Sequence, residues 1–192
     1  MKMQVAGLTK CSLIDYPEHI AAVVFVGGCN YECWYCQNCQ ILKHSANTMD
    51  FSDVLKFLAG RVGVLDGVVF SGGEATTCRY LEDMIVAVRD LGFKIKLDTN
   101  GTNPDIVKNL VEKKLLDFIA MDIKATWAKY REIVGENTYL REVQKSLNYI
   151  KNCGVAHQFR TTSAPCLKAD DLEIIKTYVG DSNFVINSYV KV

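Results

Sequence analysis

The chain has 192 residues, 49% of them hydrophobic, which suffices for a substantial buried core and is short enough that one domain over residues 1–192 is expected. Twenty-two basic residues balance 22 acidic ones and no lysine or arginine run stands out, so nothing electrostatic points to nucleic acid or an anionic membrane surface. The amino-terminal MKMQVAGLTK lacks the apolar centre of a secretory signal, and the longest purely apolar run, Ile20 to Val26, is too short to span a bilayer; a cytoplasmic protein is expected.

In chain order, HIAAVVFV is a continuous apolar run suited to a strand buried on both faces, and it ends at the cysteine-rich GGCNYECWYCQNC. FSDVLKFLAGRV carries apolar residues at helical spacing, and DGVVF reads as a second buried strand running into SGGE. The alternation continues with YLEDMIVAVRDLG as helix, KIKLD as strand, PDIVKNLVEKKL as a helix opening at a proline, and DFIAMDI as strand. TYLREVQKSLNYIKNCG then reads as helix, AHQFRTT as strand, KADDLEIIKTYVG as helix and NFVINSY as a sixth strand. Strictly alternating strands and helices require parallel pairing with right-handed crossovers, giving an α/β fold that is either an open doubly wound sheet or a full or partial β/α barrel.

The unusual residues all fall at the carboxyl ends of these strands. The cysteine loop follows the first, SGGE the second, DTNG ends the third, MDIK the fourth and RTT the fifth, so five separate stretches converge on one face.

Eight cysteines would allow four disulfides, but half of them sit within eleven residues, Cys29 to Cys39, and clustering of that kind in a chain with no export signal points to metal. Cys29, Cys33 and Cys36 are close enough to wrap one cubane; [4Fe–4S] clusters normally take four cysteines, and three leave one iron open. Two other readings stand beside this one. Cys29, Cys33, Cys36 and Cys39 would make a zinc site, although structural zinc usually draws on two ligand pairs a dozen or more residues apart. With Cys39 as fourth ligand the chain would instead be a closed-cluster electron-transfer module resembling a ferredoxin.

In SGGE, consecutive Gly72 and Gly73 permit unusual backbone angles and close approach to a ligand, while Glu74 can accept hydrogen bonds from an ammonium group; a tight strand-to-helix turn is the simpler account. Asp98 and Asn100 place short polar groups at a strand end, where a turn also explains them. Asp122 and Lys124, two apart, share a side of their strand, and Arg160 does likewise from the fifth. His44 and His157 are read as structural or solvent-exposed, and Cys11, Cys39 and Cys78 as small apolar side chains.

The C-x3-C-x2-C spacing, with aromatic Tyr35 before the third cysteine, resembles the radical S-adenosylmethionine superfamily. That resemblance implies a partial (β/α)6 barrel with helices outside, and a [4Fe–4S] cluster on Cys29, Cys33 and Cys36 whose open iron chelates S-adenosylmethionine. It also implies reductive cleavage of the sulfonium bond to a 5′-deoxyadenosyl radical. The implied cofactor shell is Tyr35 on the adenine, then Asn38, Gly72, Gly73, Glu74 at the methionine amino group, Asp98, Asn100, Asp122, Lys124 and Arg160. GLTKCSLIDYPEHIAAVVFVGGCNYECWYC with KLDTNG and MDIKATWAKYREIVG looks like activators of anaerobic ribonucleoside-triphosphate reductase, which are similar to pyruvate formate-lyase activating enzymes. By that likeness the partner is the glycyl radical loop of the reductase large subunit, and the electron comes from a donor such as flavodoxin or ferredoxin. Another glycyl radical enzyme, a peptide or a small molecule is the alternative substrate. The chain departs from the family in Gln37, where histidine is common, and in Ala75, where proline is usual. Relatives often continue past the sixth strand, where this chain stops at Val192.

Overall fold

The computed structural model describes residues 3–39 and 48–191. Its main sheet has strands β2 (Gly7–Ser12), β3 (Ala21–Val26), β5 (Gly67–Gly72), β6 (Lys94–Thr99), β7 (Phe118–Asp122), β8 (Ala156–Thr162) and β9 (Phe184–Asn187), side by side in that order. From β3 to β9 every neighbour is parallel, in register Val23↔Val69, Val69↔Lys96, Asp98↔Ala120 and Asp122↔Arg160. The six strands read from the sequence are therefore the six parallel strands of the sheet. Among the described residues no ladder joins β9 to β2, so the curved sheet is a partial barrel open at one side.

Between these strands lie α1 (Phe51–Ala59), α2 (Leu81–Arg89), α3 (Pro104–Glu112), α4 (Tyr130–Val134), α5 (Leu140–Asn152) and α6 (Ala169–Val179). Two features of the main sheet and its helices lie outside the sequence expectation. The first is β2, which pairs antiparallel with β3 (Gly7↔Phe25, Thr9↔Val23); it is a half-exposed edge strand whose GLTKCS carries no apolar run. The second is α4, a single short turn of helix following Trp127–Lys129. A small sheet of β1 (Gln4–Val5) and β4 (Met49–Asp50) pins the amino-terminal segment to the start of α1, where Phe51 N–H donates to the Met3 carbonyl at 2.9 Å and Asp50 caps Ser52 N–H.

The parallel strands sort their side chains by the two-residue period. Ala22, Val24 and Val26 of β3, with Val68 and Phe70 of β5, face the helices and join the main core. Ala21, Val23 and Val69 point inward and meet Tyr16, Phe25 and Phe118 in a small second cluster. By register, Lys96, Asp98, Asp122 and Arg160 share that inward side, so the barrel interior is apolar beside Val23 and Val69 and charged toward the strand carboxyl ends. No helix is long and apolar enough to cross a membrane among the described residues.

Candidate active site

The loop after β3 is held by backbone contacts at several points. Glu74 N–H donates to the Gly28 carbonyl at 2.9 Å, Glu32 N–H to Val134 at 3.2 Å, and Cys36 N–H to Cys33 at 3.0 Å. Tyr31, buried among Tyr130 and Tyr139, donates its hydroxyl to the Thr138 carbonyl at 2.6 Å, so the segment after α4 clamps the loop from outside. Cys29, Cys33 and Cys36 are free thiols and all three line one cavity of about 540 Å³. Burial pushes the Cys29 thiol up, and pushes Cys33 up to about 11 against the pull of the Lys124 ammonium. Cys39, whose N–H donates to the Cys36 carbonyl, does not line the cavity.

The expected strand ends supply the remaining walls. Gly72 and Gly73 line it from β5, Asp98 and Asn100 from β6, Asp122 and Lys124 from β7, and Arg160 from β8. Asn38 lines it too and donates to the Gly72 carbonyl at 2.7 Å, tying the end of the cysteine loop to the glycine pair. Tyr35 forms a buried wall; its hydroxyl lies toward Thr162 and makes no hydrogen bond of good geometry among the described residues. Asp15, Ser71, Thr162 and Tyr189 also line the cavity and were not singled out by the sequence.

Glu74 stands apart. Expected at an amino group, it does not line the cavity, and its buried carboxylate is turned into the protein. Oε1 accepts from Thr76 N–H at 3.1 Å, from Thr99 Oγ1 at 2.7 Å and from Thr76 Oγ1; Oε2 accepts from Asn100 N–H at 2.6 Å. Burial raises the pKa of this carboxyl, with the four donors pulling the other way.

Beneath the cavity runs a chain of alternating charge: Lys96, Asp98, Arg160, Asp122, Lys124. Lys96 donates to Asp98 Oδ1, and Arg160 Nη1 lies 3.4 Å from Asp98 Oδ2, which also accepts from Ser71 Oγ at 2.9 Å. Arg160 Nε donates to Asp122 Oδ1 at 2.8 Å, and Lys124 Nζ to Asp122 Oδ2 at 2.9 Å. Burial alone would raise the Asp122 pKa, but Arg160 and Lys124 outweigh it and hold the carboxyl well below the usual range. The same pairing overrides burial at Lys124 and Arg160 and keeps both firmly charged. Sequence reasoning missed Lys96, although its even spacing from Asp98 on a strand was the available signal.

The residues fit an iron–sulfur group with a polar, zwitterionic ligand. Three thiols outside any disulfide, paired cations and carboxylates and the Tyr35 ring line the same cavity. Among the described residues no three His, Cys, Asp or Glu side chains converge on a point where they would share a single ion. His157 is structural, its ring nitrogens meeting the Val155 carbonyl at 2.9 Å and Ser182 Oγ at 3.3 Å. His44 lies outside the described residues.

Comparison with known proteins agrees with this geometry. The family model of the Radical SAM superfamily matches residues 23–178. A Methanocaldococcus jannaschii protein named "Putative glycyl-radical enzyme activating enzyme MJ1227" is 33% identical, over 94% of this chain and 77% of its own length. A second from the same organism, MJ1632, bearing the same description, is 26% identical over 85% of this chain and 65% of its own length. Among solved structures, Streptococcus suis SuiB bound to S-adenosylmethionine superposes with a TM-score of 0.70 at 16% identity. That match covers 86% of this chain and 39% of SuiB, and what it shows is a shared fold.

Proposed function

Since the chain belongs to the radical SAM superfamily, we propose that it generates a glycyl radical on a protein partner, and that the partner is an anaerobic ribonucleoside-triphosphate reductase. The family works with a [4Fe–4S] cluster and S-adenosylmethionine, and this protein takes both. When bound, the pair would supply one-electron reductive cleavage of the sulfonium bond and, through it, the means to remove one hydrogen atom from a glycine Cα.

The observation that carries this reading is the sharing of one cavity by Cys29, Cys33 and Cys36 with the Asp98–Arg160–Asp122–Lys124 chain. In it the three thiolates hold the cluster, while Lys124 and Arg160 offer fixed positive charge to a carboxylate and Asp98 and Asp122 offer negative charge to an ammonium. Gly72 and Gly73 let the backbone come close to the ligand, Asn100 adds a polar group at the β6 end, and Asn38 fixes the Gly72 carbonyl. Tyr35 lines the cavity with its ring and packs beside the adenine, its hydroxyl buried toward Thr162.

The gap between β9 and β2 supports entry of a partner's loop, because a closed barrel would leave no lateral path to the cavity. A flavodoxin or ferredoxin fits as the source of the single electron. The resemblance of residues 7–36 to reductase activators and the description of the M. jannaschii relatives both favour a glycyl radical substrate.

The reconstituted, reduced protein is incubated anaerobically with S-adenosylmethionine and a reductase large subunit. We expect 5′-deoxyadenosine together with a glycyl signal in electron paramagnetic resonance. Nucleoside without that signal assigns the radical to another substrate, and a Cys33→Ala protein that still makes the nucleoside overturns the cluster assignment.

A further inference from the structure

Glu74 is almost wholly buried, at 1% exposure, yet it stands next to Gly73, whose backbone lines the cavity. Both carboxylate oxygens of Glu74 are engaged by protein donors: Oε1 accepts from Thr76 N–H, Thr76 Oγ1 and Thr99 Oγ1, and Oε2 accepts from Asn100 N–H. Two of those donors come from the turn that Glu74 itself opens; the other two come from the end of β6. The carboxylate therefore bridges two cofactor-side loops.

The bridge extends to a third. Asn100 Nδ2 donates to Asn30 Oδ1 at 3.0 Å, Asn30 Nδ2 donates to Thr102 Oγ1 at 2.7 Å, and Thr102 Oγ1 donates to Asn100 Oδ1 at 2.7 Å. Asn30 follows Cys29 directly, and neither Asn30 nor Glu74 lines the cavity. Asn103 Nδ2, donating to Thr76 Oγ1 at 2.9 Å, returns the network to the Glu74 turn. Glu74, Thr76, Thr99, Asn100 and Thr102 are buried, with Asn30 and Asn103 partly so, and hydrogen-bond networks set in a low-dielectric interior hold their members rigidly.

Resting on the cofactor reading above, we propose that Glu74 is a positioning residue: it locks the glycine-pair loop, the β6 end and the cysteine loop into one rigid rim and does not contact the amino group of S-adenosylmethionine. Its negative charge is spent on four protein donors. Replacing one acceptor oxygen with an amide sets a donor against a donor, so the rim loosens as a whole and every ligand of the cavity is affected alike.

The test measures binding of two ligands to wild type and Glu74→Gln, both reconstituted with iron: S-adenosylmethionine, and 5′-methylthioadenosine, which lacks the amino acid. We expect both affinities to fall by the same factor, about tenfold, the loss of one charged hydrogen bond, and iron retained per chain to fall with them. A fall for S-adenosylmethionine alone at unchanged iron content means that Glu74 meets the amino group and overturns the proposal. A lower melting temperature with affinities and iron content unchanged makes Glu74 a stabilising group only, which overturns it equally. Should Glu74→Gln not fold, Asn30→Ala reads the same coupling from the cysteine side: equal weakening of both ligands with a near-native melting temperature supports the rim, and unchanged binding and iron content refutes it. Wild type that binds neither ligand removes the cofactor reading itself, a result distinct from any of these.

Discussion

Lys96 and Asp98 stand two residues apart on β6 and meet as an ion pair inside the barrel, with the lysine side chain wholly buried and the aspartate 13% exposed. Burial lowers the Lys96 pKa and the Asp98 carboxylate opposes that fall, so the ammonium depends on its partner. Removing one member of a buried pair leaves a desolvated charge behind. Lys96→Met is expected to destabilise the protein by about 1–3 kcal/mol, moderated because Ser71 and Arg160 still attend Asp98. Urea denaturation measures this, and Lys96→Met combined with Asp98→Asn is expected to recover most of the loss; a double variant no more stable than the single one refutes the pairing as the cause.

The central parallel strands were legible because β3 and β5 bury both faces and so read as apolar runs, AAVVFV and GVVF, while the strict alternation with helices carried the rest. Placing the cysteines, the glycines, Asp98 with Asn100, Asp122 with Lys124, and Arg160 at their carboxyl ends was enough to bring five stretches to one cavity. The edge strand β2 was not legible, since an edge strand needs no second buried face. Nor was the direction of Glu74: sequence places a residue at a turn but does not say to which side its side chain goes, and the donors that turn it inward, Thr99 and Asn100, belong to another strand. Lys96 was hidden for a related reason, because a lysine in KIKLD reads as solvent-facing until the opposite side of the sheet proves to be a charged interior.

Gly72 is expected to tolerate no side chain. Its φ is +120°, and a Cβ there would lie 2.4 Å from the Val26 carbonyl oxygen and 2.6 Å from its nitrogen, both backbone atoms of the paired strand. Gly72→Ala should cost about 2 kcal/mol or more. It should also lower iron retention, because the Gly72 carbonyl anchors Asn38. Thermal unfolding and iron analysis check both, and a variant with native stability would show that β3 and β5 yield more easily than their register implies.

The cysteines divide by their position relative to the cavity. Cys29, Cys33 and Cys36 line it and Cys39 does not. Cys39→Ala is expected to reconstitute with the iron content and visible absorption of wild type, and Cys33→Ala to lose most of both. Loss of the cluster on removing Cys39 would mean a closed, four-cysteine site and would favour electron transfer over radical generation.

Acid should expose the Asp122 pairs. Its native pKa lies below the unfolded value of about 3.9, with Arg160 and Lys124 outweighing the opposing effect of burial. A carboxyl shifted in that direction contributes stability that is fully present above the unfolded pKa and lost as pH falls through the native one. The apoprotein is therefore expected to hold its stability down to about pH 4 on this account and to lose it progressively below, as the unfolded chain takes up a proton at Asp122 that the native pairs with Arg160 and Lys124 keep off. Asp122→Asn should be less stable at pH 7 and flatter in the acid range, because the group whose proton uptake drives the loss is gone. Denaturation curves for both proteins between pH 3 and pH 7 decide this, and parallel pH profiles would show that other carboxylates govern the acid limb.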